Sequence, residues 1–100
     1  MIERQIIMTP WAEEEYYQLE DVIINQYKAP LTAARYMQGL SDRIRSLEQD
    51  ADIYADVPEL SVEFGMKVKR LNYKQIAIIF TIEDDKVYIQ RVLPQKMVLY

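Results

Sequence analysis

Apolar positions along this chain change their spacing twice. Ala12, Tyr16, Leu19, Ile23 and Tyr27 recur at intervals of four, three, four and four, the stripe of an α-helix turned toward a core, and Trp11 and Val22 widen it. Thr9-Pro10 marks its start: the hydroxyl caps, proline suits the first helical position, and Glu13, Glu14 and Glu15 sit near the positive end of the helix dipole. Lys28-Ala29-Pro30 interrupts the pattern, because proline removes a donor and bars helical geometry from the residue before it. A second stripe follows at once: Ala33, Met37, Leu40, Ile44 and Leu47, at four, three, four and three. Two such helices across so short a connection form a hairpin.

From Phe64 the spacing falls to two. Segments 64–71, 75–82 and 86–93 read as strands, with polar turns at Asn72-Tyr73 and Asp84-Asp85, a β-meander. A short strand over 3–8, carrying Ile6 and Ile7, precedes the first helix. The order β-α-α-β-β-β predicts an α+β domain, the hairpin packed on one face of a largely antiparallel sheet. Residues 48–60, EQDADIYADVPEL, follow neither period, and Pro58 argues against regular structure there, so a solvated connector is expected. Gly39, costly inside a helix, implies a close approach between the two helices. In the central strand Ile76, Ile78, Phe80 and Ile82 should face the hairpin, leaving Gln75, Ala77, Ile79 and Thr81 on an open face.

One hundred residues suit a single domain over 1–100. The chain has no cysteine and no histidine, which removes disulfides, thiolate or imidazole metal ligands, and histidine-based catalysis. No apolar run approaches the roughly 20 residues a bilayer span requires, and the start, MIERQIIMTP, lacks the pattern of a signal peptide, so a cytoplasmic location is expected. The formal net charge of -4 is unevenly spread: residues 1–60 carry five Lys/Arg against twelve Asp/Glu, residues 61–100 seven against four. Positive charge gathers where GMKVKRLNYKQIAIIF brings Lys67, Lys69, Arg70 and Lys74 to the entrance of the most apolar run. Such cations either receive phosphate or keep a strand edge solvated and unpaired. Lys67 and Lys69 share one face of their strand and Arg70 points the other way; Arg91 alternates with Val87 and Ile89 and so also reads as the solvent end of a core-facing row. Arg35, Arg43 and Arg45 lie off the helical seam and read as solvated.

The stretches IIMTPWAEEEYYQLEDVIINQY, PLTAARYMQGLSDRIRSL and KVKRLNYKQIAIIFTIEDDKVYIQRVL, taken in order, resemble the RelE/ParE superfamily of bacterial toxins across almost the whole chain. The resemblance implies the toxin of a type II toxin-antitoxin pair, with a cognate antitoxin as partner, no metal or cofactor, and a homodimer left open. RelE-like members are metal-independent endoribonucleases that cut mRNA in the ribosome; ParE-like members poison DNA gyrase. For the first branch the resemblance implies Lys67, Lys69, Arg91 and Tyr100 as catalytic groups, and Arg70, Lys74 and Lys96 as RNA-binding ones. Metal-free RNA cleavage needs cations on the phosphate and a proton donor for the leaving oxygen. Ala77 stands where that branch commonly has an arginine, and Pro94 where it commonly has a histidine; the gyrase branch needs neither. A non-enzymatic module that keeps the toxin fold only to bind a partner is the alternative, and the acidic balance favours it.

Overall fold

A computed structural model describes residues 3–98. Strand β1 (Gln5–Met8) leads into helix α1 (Pro10–Tyr27) and helix α2 (Pro30–Asp50); a 3-10 turn (Ala51–Ile53) and a short helix α3 (Pro58–Phe64) precede strands β2 (Lys69–Tyr73), β3 (Ile76–Glu83) and β4 (Lys86–Pro94), and a 3-10 turn (Gln95–Met97) follows them. The sheet order is β1-β4-β3-β2, with β1 parallel to β4 and the other pairs antiparallel. This is the α+β arrangement the spacing predicts, as a mixed sheet. No helix among the described residues is long and apolar enough to cross a membrane.

Local chemistry explains the helix ends. The Thr9 hydroxyl accepts from the Ala12 amide at 3.2 Å, and Pro10 opens α1. Lys28 ends it in the left-handed region (φ 54°), its amide returning to the Ile24 carbonyl at 3.2 Å, and Pro30 starts α2 two residues on. The hairpin buries Ala12, Leu19, Ile23, Met37, Leu40 and Leu47 against Ile76, Ile78, Phe80, Val87 and Ile89 of the sheet. Trp11 and Val22 do not widen that core: they are 62% and 56% exposed, because the inward side of α1 is centred on Ala12, Leu19 and Ile23, roughly 100° around the helix.

Five further expectations are corrected. Residues 48–60 are not an irregular connector: α2 continues to Asp50, and Pro58 stands at the first position of α3, where its missing N–H is no loss. Arg4, 9% exposed, ties the segment down by an ion pair to Asp52 at 2.7 Å. Phe64 to Leu71 is not one strand, since Phe64 ends α3, Gly65 takes φ 72° as its C-cap, and pairing begins at Lys69. The following turn is Lys74-Gln75, with Lys74 at φ 51°, rather than Asn72-Tyr73. The glycine in α2 admits a side chain and not the other helix: a Cβ at Gly39 would overlap the Tyr73 hydroxyl, which donates to the Tyr36 carbonyl at 3.1 Å.

The fifth correction bears on the site. Ala77, Ile79 and Thr81 are buried, so the expected open face is closed. Leu60 of α3, with Val57 and Val98, packs on Val68, Ala77, Ile79 and Leu93 as a second, smaller core. Ser61 fixes α3 in place, its hydroxyl donating to the Val57 carbonyl at 2.9 Å and accepting from the Val68 amide at 2.9 Å.

Candidate functional site

Strand register decides which cations share a face. Lys69 pairs with Phe80 and therefore lies on the hairpin side; its ammonium donates to the Tyr54 carbonyl at 2.6 Å and pairs with Asp56 at 3.0 Å. Arg70 pairs with Ile79 and lies on the α3 side. Lys67 precedes β2 and is exposed.

Arg91 does not end the core-facing row of Val87 and Ile89. The register shifts between Ile79 and Phe80, which pair with Arg91 and Ile89, leaving Gln90 as an extra residue in β4. The bulge reverses the alternation, so Val92 joins the core row and Arg91 turns to the face of Ile79. There it meets α1. Its Nε donates to the Glu15 carboxylate at 3.0 and 3.1 Å and its Nη2 at 2.8 Å, while the guanidinium lies 4.1 Å from the Trp11 ring centroid. Pairing of β1 with β4 stops at Met8 and Ile89, and the same carboxylate accepts the Val92 amide at 3.0 Å. Glu15 thus does for that edge of β4 what a neighbouring strand would do. In the sequence it is one of three consecutive glutamates beside a helix start, and nothing in that run sets it apart.

Other cations gather at the end of the sheet where β2 turns into β3. Arg70 Nε donates to Asn72 Oδ1 at 2.8 Å and its Nη2 to Gln95 Oε1 at 3.3 Å. Gln95 Nε2 donates to the Lys74 carbonyl at 2.5 Å, and Arg43 of α2 reaches the Asn72 carbonyl at 3.4 Å. The Lys74 ammonium lies 5.0 and 5.5 Å from the ring centroids of Tyr36 and Tyr73. Burial, with Tyr27 and Tyr73 adding to it, pushes the Tyr36 hydroxyl above its ordinary pKa. Lys96 is exposed on the 3-10 turn after β4.

The sequence-derived set therefore divides. Arg70, Lys74 and Lys96 come to one end of the sheet, Lys69 and Arg91 are held by carboxylates on opposite faces, Lys67 stands apart, and Tyr100 lies outside the described residues. Glu15, Trp11, Arg43 and Gln95 complete these clusters, and of their contacts the sequence gives no sign, since each is made across the fold.

A family model described as "ParE toxin of type II toxin-antitoxin system, parDE" matches residues 6–99. Among solved structures, one described as the chromosomal ParDE TA system from P. aeruginosa superimposes with a TM-score of 0.71, covering 92% of this chain and 96% of that one. Sequence identity is 17%, so this likeness is one of fold. No curated protein sequence matches the chain significantly.

Proposed function

Since the chain belongs to the ParE toxin family of type II toxin-antitoxin systems, we propose that it arrests growth by poisoning DNA gyrase in the bacterial cytoplasm and is neutralised by a cognate antitoxin. The observation that carries the choice of target is the placement of Lys69 and Arg91. RNA cleavage without a metal requires cations converging on one phosphate. Here each of the two has a carboxylate partner and they lie on opposite faces of the sheet. Helix α3 also covers the face on which a phosphate would be received.

Under this reading Lys69 fastens β2 to residues 54–56, and Arg91, backed against the exposed Trp11, is a contact for the target. Exposed tryptophan and arginine held in fixed geometry are the residues that most often dominate protein interfaces. The antitoxin fits a groove of about 450 Å³ at the turn of the hairpin, whose apolar wall of Ile24, Pro30, Ala33 and Met37 suits the apolar stripe of a partner helix.

Purified chain added to DNA gyrase and relaxed plasmid is expected to block supercoiling and accumulate cleaved DNA, while mRNA on translating ribosomes stays intact. Cut message with unaffected gyrase would move the function to the ribonuclease branch. Neither effect, with normal growth on expression, would leave the non-enzymatic binding module.

A further inference from the structure

Beside the Trp11–Arg91 pair, on the side of the sheet that α3 covers, lies a cleft of about 200 Å³. Ile79 and Leu93 of the sheet, Phe64 of α3 and Met97 of the last turn line it, with Glu63 and Arg91 as its charged residues. Phe64 and Met97 are exposed although apolar, as are Val62 and Met66 close to them in the chain. The cleft is smaller than the roughly 300–1,000 Å³ of pockets that enclose whole small ligands, and suits a single side chain. Its charge narrows the choice further. Arg91 Nε and Nη2 are both taken by the Glu15 carboxylate, at 2.8 to 3.1 Å, so this cation is neutralised within the protein and Glu63 leaves the cleft negative on balance.

We propose that the cleft takes one aromatic side chain, flanked by a basic residue, from the protein that the toxin acts on; assignment to the target rests on the gyrase-poison reading. A guanidinium held flat by a carboxylate is planar and weakly hydrated, which suits stacking on a ring. The Met97 thioether and the Phe64 ring add the contacts aromatic side chains favour. Glu63 is placed to pair with the basic neighbour, whereas an acidic side chain or a phosphate would meet Glu63 and find Arg91 already engaged. Exposed Trp, Phe, Met and Arg around one small cleft are also the composition of an interface centre.

The experiment follows the Leu93 and Met97 methyl signals of the full chain by NMR during titration with the acetylated and amidated tripeptide Lys-Trp-Lys, against Glu-Trp-Glu and Lys-Ala-Lys. Lys-Trp-Lys should shift these signals, and the other two should need about tenfold higher concentration or more. Phe64→Ala should weaken binding by a similar factor, and Glu63→Lys should remove the preference for Lys-Trp-Lys over Glu-Trp-Glu. Val62→Ala, on the same helix and outside the lining of the cleft, should change neither. Melting temperatures should stay close to that of the unaltered chain, since these side chains are exposed. On gyrase, Phe64→Ala should require about tenfold more protein to block supercoiling. Shifts centred on Ile24 and Met37 of the hairpin groove, equal response to the three peptides, or tighter binding of oligo-thymidylate at the same signals would overturn the proposal. If the unaltered chain leaves gyrase untouched, the gyrase reading falls and the peptide titration decides the cleft by itself. If Phe64→Ala loses the peptide yet poisons gyrase in full, the assignment to the target is overturned.

Discussion

The two faces of the sheet are built on different terms. On the hairpin side, two long helices bury a continuous core in which Leu40, Leu47, Ile78, Phe80 and Ile89 are fully enclosed. On the other side one helix of seven residues closes a small cluster through Leu60, beside a cleft of about 200 Å³ lined in part by Phe64, Arg91 and Met97. Stability therefore rests on the first face. The second is closed by few contacts, and its apolar residues Val62, Phe64, Met66 and Met97 remain exposed. The sheet is thus fixed mainly from one side, while its other side carries a smaller cover.

Leu40→Ala should break the comparison most strongly, since truncating a fully enclosed leucine costs about 2 to 5 kcal/mol and should unfold the whole domain cooperatively in denaturant. Gly39→Ala comes next at about 1 to 3 kcal/mol, because the new methyl group drives Tyr73 from its place on α2 and breaks its bond to Tyr36; an unchanged melting temperature would contradict that packing. Leu60→Ala should cost no more than about 2 kcal/mol, the lower end for a buried leucine. Its mark is local: amides of α3 and Val68 should exchange faster while those of β3 and β4 keep their protection. Loss of protection across the whole sheet would show that the two faces form one cooperative unit.

Arg91→Ala and Glu15→Ala test the stitch between α1 and the free edge of β4. Both partners are partly exposed, so a double-mutant cycle should give a coupling of about 1 kcal/mol, and loss of Glu15 should speed exchange at Val92, whose amide it accepts. The smallest effect is alkaline. The Tyr36 pKa is raised in the folded state, so folding favours the protonated phenol; stability is complete below the ordinary value of 10.0 and falls as pH rises above it. Tyr36→Phe should flatten that decline in urea unfolding followed between pH 9 and about 11, and a profile unchanged by the substitution would assign it to other groups.

The local terms were legible in the chain. Thr9-Pro10, Lys28-Ala29-Pro30 and the two helical stripes place α1 and α2, and the alternation through Ile76, Ile78 and Phe80 places β3 with its hairpin face, because caps, proline geometry and side-chain period act within a few residues. What required the tertiary structure lies where contacts join distant segments. Pro58 reads equally as a breaker or as the first residue of a helix, and the docking of Leu60 on Ala77 and Ile79 decides between them. The bulge at Gln90 turns Arg91 from the core row to the other face; its trace in the chain is the spacing of three from Ile89 to Val92, but only the pairing with β3 shows which residue is the extra one. The cations themselves were visible, but their partners Asp56, Glu15 and Gln95 lie 13, 76 and 25 positions from Lys69, Arg91 and Arg70. Charge patterning gives the sign of a segment; whether a cation faces a carboxylate or an open cleft is set by strand register and helix packing, which act only after the chain has folded.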